Sequence, residues 1–158
     1  LQTNKVKQIV PFVHMIHSVD SVRLMEVINR EAEKIQRRVK VLLEVHVARE
    51  ETKSGFTPED YLSLITHSSS LISAYPWVEI CGVMGMATNT GDKQEWRRCF
   101  REIKSLATRL STLNIKQISM GMSDDYLIAI EEGSTMVRLG STIFGSRGST
   151  PENSIQTN

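Results

Sequence analysis

Apolar runs of strand length alternate along this chain with longer stretches in which apolar residues recur every three or four positions. Strands are predicted at His14 to His17, Val39 to Val47 (VKVLLEVHV), Val78 to Met84 (VEICGVM), Lys116 to Met120 and Met136 to Leu139. Between them, Val22, Met25, Ile28, Ala32 and Ile35 form one stripe on a helix starting at Asp20. Trp96, Phe100, Ile103, Ala107 and Leu110 form another on a helix starting at Asp92. A further helix begins at Thr57-Pro58-Glu59-Asp60, which combines a capping hydroxyl, a proline at the first helical position and acidic residues where the helix dipole favours them. Its pattern runs to about Ala74, and a weaker helical pattern covers Asn4 to Val10. Strands separated by helices of about ten residues or more imply parallel neighbours joined by long crossovers, hence an α/β fold with a parallel sheet.

Composition narrows the function classes. The chain has 158 residues, 40% hydrophobic and 23% charged, enough for one domain with an ordinary core. With 19 basic against 18 acidic residues and no block of like charge, neither nucleic acid nor an anionic membrane is implied as a partner. EWRRCFREIKS reads as the solvated face of an amphipathic helix, not as an RNA-binding patch. No apolar run approaches the ~20 residues that span a bilayer and no signal peptide is visible, so a cytoplasmic setting is expected. Cys81 and Cys99 have neither metal-ligand spacing nor disulfide density and are expected to be free thiols. The tail GSTPENSIQTN, residues 148–158, lacks apolar residues to pack and is expected to be disordered, leaving 1–147 as the domain.

His14 and His17 lie three apart on a predicted strand, which sends them to opposite faces and argues against a metal pair. Glu44 and His46 share one face of VLLEVHV, with Leu43, Val45 and Val47 on the other. The polar face is expected to point into a barrel interior as a hydrogen-bonded pair, an acid/base pair being the alternative.

The stretch TMVRLGSTIFGSR, residues 135–147, places a short apolar run directly before Gly140-Ser141. No G-x-G-x-x-G or Walker pattern accompanies it, which argues against a doubly wound nucleotide fold. A (β/α)8 barrel instead binds phosphate at the loops after its last two strands and at a short extra helix. Gly140 would let an anion approach the backbone, Ser141 would present an N–H and a hydroxyl, and Thr142 to Gly145 would form the short helix. The preceding loop MGMSDD supplies Ser123 as helix cap and candidate phosphate donor, while Asp124 and Asp125 oppose an anion but suit a helix's first turn. On spacing alone, a plain strand-to-helix turn at Gly140 and a purely capping Ser123 stay open.

LQTNKVK, HSVDS, EETKSGF, GVMGM and SMGMSDDYLIAIEEGSTMVRLGSTIFGSR together resemble the YggS/PROSC family of pyridoxal 5′-phosphate (PLP) homeostasis proteins. The resemblance runs in order from residue 1 to about 147. It implies a PLP-binding barrel of fold-type III, similar to the barrel of alanine racemase, that handles and delivers the cofactor without an established reaction. Carried onto this sequence, it makes Ser123, Gly140 and Ser141 the phosphate cradle, Arg138 the partner of the pyridine nitrogen and Met84 a residue lining the cofactor, with Asn4 and Lys53 near the pocket mouth. A permanently charged guanidinium beside the ring nitrogen would discourage its protonation and weaken the cofactor as an electron sink.

The family's Schiff-base lysine lies upstream of its LQTNK counterpart, so it is expected to be absent from this chain. Five βα units where a barrel has eight, in a fold that takes about 250 residues, agree with a fragment holding roughly strands four to eight. Such a fragment would expose sheet edges and is expected to need a complementing N-terminal segment or self-association. PLP-dependent apoenzymes are the further partners the resemblance implies. A racemase-like PLP enzyme and a structural half-barrel that binds nothing are the competing readings.

Overall fold

The computed structural model describes residues 1–50, 54–109 and 116–145; Lys53, Leu110 and the polar tail from residue 148 lie outside the described residues. A 3-10 turn, Thr3–Lys5, leads into α1 (Val6–Ile9), followed by β1 (Met15–Val19), α2 (Val22–Lys34) and β2 (Val39–Val45). Then come α3 (Pro58–Thr66), α4 (Ser68–Ala74), β3 (Val78–Gly85), α5 (Lys93–Thr108), β4 (Gln117–Ser119), α6 (Tyr126–Glu131) and α7 (Ser141–Phe144). The four strands pair in parallel in chain order, β1-β2-β3-β4.

The helix starts follow the sequence signals. Ser21 caps α2 by accepting from Leu24 N–H, Thr57 caps α3 by accepting from Asp60 N–H, and Asp92 caps α5 by accepting from Gln94 N–H. The buried stripe of α2 is Leu24, Met25, Ile28 and Ala32, whereas Val22 and Ile35 at its ends remain exposed. The single helix expected from Pro58 to about Ala74 is two, because His67, with φ −102° and ψ 34°, leaves helical geometry between α3 and α4.

One face of β2, carrying Val39, Val41, Leu43 and Val45, packs into a core with Val19 and Val83 of the neighbouring strands, Met25 and Ile28 of α2, and Phe100 and Ile103 of α5. The alternate positions, Leu42 and Glu44, lie on the opposite face, and Glu44 is in register with Met84, itself in register with Ser119. Register shifts interrupt β1 between Ile16 and Val19 and β3 between Ile80 and Gly82, where Cys81 is the extra residue. Next to it, Gly82 lies so close to β4 that a Cβ there would sit 1.9 Å from the Gln117 carbonyl oxygen.

The fifth strand expected at Met136 to Leu139 does not form a ladder. Met136 makes one isolated parallel bridge to Ser119, and Ser134 Oγ turns the chain by donating within reach of the Met120 and Met136 carbonyls, both at 2.8 Å. Beyond it, Arg138 N–H bonds the Gly121 carbonyl at 2.9 Å, which carries the segment past the end of β4 instead of along it.

Candidate functional site

The strand ends β3 and β4 and the segment after Met136 converge on Arg138. Its Nη1 donates to the Ser119 carbonyl at 3.0 Å and to Ser119 Oγ at 2.8 Å, and its Nη2 donates to the Gly85 carbonyl at 3.2 Å. Ser119 Oγ also meets His17 Nδ1 at 3.2 Å, so residues from β1, β3, β4 and the last segment join in one hydrogen-bonded chain. Burial lowers the Arg138 pKa while Glu44 and Asp125 oppose that shift, and an arginine so placed keeps its charge. Burial, and then the Arg138 charge, pull His17 below the ordinary histidine range. A neutral His17 accepting from the Ser119 hydroxyl, which itself accepts from Arg138, satisfies all three groups.

Ser123, Gly140 and Ser141 do come together. Ser123 does not cap α6, whose first residue is Tyr126 and whose cap position, Asp125, makes no side-chain cap bond. Instead Ser123 Oγ accepts the backbone N–H groups of Gly140 and Thr142, each at 3.3 Å. With both lone pairs engaged, its O–H proton is left to donate outward. Ser141 opens α7, and its N–H has no acceptor among the described residues. A Cβ on Gly140 would meet nothing within 4 Å. These groups line a cavity of about 410 Å³ together with Met122, Asp124, Arg138 and the largely exposed Phe144. Asp125 turns away from an anion by accepting from Met122 N–H at 2.6 Å, and burial raises its carboxyl above the ordinary range. Asp124 is the acidic side chain that remains in the lining.

Met84 is 4% exposed and lies on the Glu44 face of the sheet, opposite the helices. Asn4 is exposed at the N-terminal turn, and Lys53 is outside the described residues. Among the described residues no lysine lines the Arg138 cavity. The hydrogen-bonded Glu44–His46 pair expected from the sequence is not formed: Glu44 is buried, and among the described residues no hydrogen bond reaches its carboxyl.

Sequence reasoning missed the clamp on the neighbouring loops. EWRRCFREIKS is not wholly a solvated face, because Glu95 is 7% exposed and accepts from Arg49 at 2.8 Å, Arg98 at 2.8 Å and Thr88 at 2.9 Å. Arg98 also donates to the Val47 carbonyl, and Asn89 N–H to Glu50, so the loops after β2 and β3 are joined at the same end of the sheet. The signal was present: Glu95 lies four residues before Cys99 and shares its buried stripe. Both cysteines are free, as expected. Among the described residues no helix is long and apolar enough to cross a membrane, and no cluster of His, Cys, Asp and Glu could hold a metal.

A parallel sheet grown in chain order, with the Gly140 turn beyond its last strand, is the frame of an α/β domain of the parallel-barrel class. The family model for the N-terminal domain of alanine racemase matches residues 2–148, and the chain belongs to that family. Within it, the chain is similar to the pyridoxal phosphate homeostasis protein of Aquifex aeolicus, 38% identical over 150 residues, covering 93% of this chain and 64% of the relative. PipY of Synechococcus elongatus, solved with PLP bound, is 32% identical and superposes with a TM-score of 0.79, covering 92% of this chain and 67% of that one. Alanine racemase of Clostridium difficile, 16% identical with a TM-score of 0.69 over 97% of this chain and 38% of that one, shares the fold. The chain thus spans about two thirds of the length of its pyridoxal phosphate homeostasis relatives.

Proposed function

We propose that this chain binds PLP through the cavity at Ser123, Arg138, Gly140 and Ser141, and that it takes part in holding and delivering the cofactor without catalysing a reaction on it. The observation that carries the reading is the turn at Gly140. It leaves open space where a side chain would stand, beside the unpaired Ser141 N–H and the outward Ser123 hydroxyl. That set of donors fits a phosphate group. Arg138 fits the ring nitrogen, because its remaining N–H groups can donate while its other bonds fix the guanidinium in place. When bound, PLP supplies a pyridine ring that withdraws electrons from an attached amine. Arg138 limits that withdrawal by holding a positive charge where a proton would otherwise bind. Among the side chains lining the cavity, Asp124 is the titratable group besides Arg138, whereas a racemase needs acid/base groups on both sides of its substrate.

The names of the relatives support the same reading, since they are pyridoxal phosphate homeostasis proteins and not racemases. We read β1 to β4 and the Met136 segment as roughly strands four to eight of a (β/α)8 barrel. The lysine that carries the cofactor and the covering strands then belong to the part of the relatives that this chain does not match. PLP-dependent apoenzymes and a complementing segment are the partners this reading requires, within residues 1–147 as one domain.

Titrating the chain with PLP, by equilibrium dialysis with and without inorganic phosphate, tests the proposal. Saturable binding that phosphate displaces, weakened about tenfold by Ser123→Ala, is the expected result, since one hydrogen bond to a charged group contributes about 1.5–3 kcal/mol. Binding indifferent to both phosphate and Ser123 would overturn it.

A further inference from the structure

Beside the Arg138 cavity lies a second one, of about 560 Å³, between the loop after β3 and the loop after β4. The two cavities share Met122 and Asp124. One wall of the second runs from Met86 to Gly91, α5 contributes Trp96, and Met122, Asp124 and Asp125 form the other side. Both walls are held by bonds of their own. Thr88 Oγ1 donates to Glu95 at 2.9 Å, the Asn89 N–H donates to Glu50 at 2.7 Å, and Asp125 accepts from the Met122 N–H at 2.6 Å. The space is thus preformed, as binding cavities usually are.

Its chemistry is the reverse of its neighbour's. Where the Gly140 turn and Arg138 offer N–H groups to an anion, no lysine, arginine or histidine lines this cavity among the described residues. Asp124 is exposed, and among the described residues no hydrogen bond or ion pair reaches its carboxyl. Asp125, by contrast, is engaged by Met122. A hydrated metal ion asks for several oxygen ligands, which one free carboxylate does not supply, and no His, Cys, Asp and Glu group among the described residues could hold a metal. An organic cation fits instead. Trp96, partly buried against the core, offers a ring that attracts a cation, and Met122, left 47% exposed, offers apolar surface to the carbons that carry it.

We propose that this cavity binds an alkylammonium group, its carbon chain along Trp96 and Met122 and its ammonium at Asp124, next to the anion held by the Gly140 turn. Asp124, which alone opposes a phosphate, then becomes the link between the two cavities. The bound ammonium neutralises it, so cation and anion each strengthen the binding of the other. A free amine and the side chain of a protein lysine share this chemistry. That the neighbouring anion is the phosphate of PLP rests on the function proposed above, under which the cavity couples cofactor binding to an amine-bearing recipient. The cation site itself does not depend on that reading.

The test follows the Trp96 indole N–H by nitrogen NMR of the chain, its signal being told from that of Trp77 by its loss in Trp96→Phe. Titration with n-butylammonium at constant ionic strength is expected to move the Trp96 signal saturably and to leave that of Trp77 in place. 1-Butanol, with the same chain and no charge, should bind about fivefold more weakly, and Asp124→Asn should weaken the ammonium by about the same factor, with an unchanged Trp77 signal showing the fold intact. No saturable shift, an equal response to 1-butanol, or indifference to Asp124→Asn overturns the proposal. Tighter binding of Nα-acetyl-lysine N-methylamide than of n-butylammonium assigns the cavity to a protein lysine, and the reverse assigns it to a free amine. Equilibrium dialysis of inorganic phosphate separates the two readings. Phosphate should bind about twofold tighter in saturating n-butylammonium, and no gain would overturn the link through Asp124. Phosphate binding without an ammonium response removes the cation site alone, and an ammonium response without phosphate binding removes the cofactor reading alone.

Discussion

Ser119 Oγ stands between Arg138 Nη1 at 2.8 Å and His17 Nδ1 at 3.2 Å, so one hydroxyl on the edge strand links a buried cation to a histidine three strands away. Ser119→Ala leaves both neighbours short of a partner inside the fold. The expected loss is about 1–3 kcal/mol in urea unfolding. His17→Ala should then cost less in the Ser119→Ala background than alone, as contacts in one network are not additive.

Gly82 has room for hydrogen only. A methyl group there would overlap the Gln117 carbonyl, which is backbone and cannot rotate away, so Gly82→Ala must part β3 from β4. Chemical denaturation should report a destabilisation of about 3 kcal/mol, near the upper range for overpacking.

Gly140→Ala is the opposite case. Its Cβ meets nothing within 4 Å, and the backbone φ of −116° lies outside the left-handed region that favours glycine. Stability should stay within about 0.5 kcal/mol of the parent. PLP affinity should nonetheless fall about tenfold, because the methyl group occupies the space a phosphate oxygen needs.

Glu95 sets an acid limb. Its hydrogen bond with Arg98, helped by Thr88 and Arg49, lowers its pKa from the ordinary 4.5 to about 2. A depressed carboxyl stabilises the fold fully above its unfolded pKa, and that contribution disappears as pH falls from 4.5 towards 2. Urea midpoints measured between pH 7 and pH 2.5 should therefore fall more steeply for the parent than for Glu95→Gln.

Glu44 runs the other way. Burial, reinforced by Asp20, raises its pKa, so the folded chain holds that proton more tightly than the unfolded chain and loses stability as pH rises through the gap. Glu44→Gln should unfold at a higher midpoint than the parent at neutral pH, and the advantage should vanish below the unfolded carboxylate pKa, where both carboxyls are protonated. A midpoint difference independent of pH would contradict this.

The alternation of apolar runs was enough to read a parallel α/β sheet, because buried parallel strands such as VKVLLEVHV need apolar residues on both faces and crossover helices need a stripe. It overstated two elements. The Met136 run has strand composition, but its pairing ends where the single Ser134 hydroxyl proton stands within reach of three carbonyls and the Arg138 N–H turns to Gly121, contacts that no local pattern encodes. The helix after Pro58 has a continuous pattern, yet it divides at His67, which leaves helical geometry. At the candidate site, spacing pointed to Gly140 and Ser141 and the resemblance to Arg138, and the structure gathers all three around one cavity, whereas the bond of Ser123 to Gly140 depends on a contact 17 residues apart. The unpaired Glu44 was invisible, since a sequence gives the face of a side chain but not the partners waiting there.

The strands of this sheet are laid down in the order in which the chain is made, each new one added to the same side. Within this stretch β1 is therefore made before β4, and the turn at Gly140 is completed only after the layer beneath it has had time to close. A chain released at residue 134 would carry α5 and β4 in full yet hold neither Arg138 nor the turn, so the sheet can close before the proposed cofactor site exists.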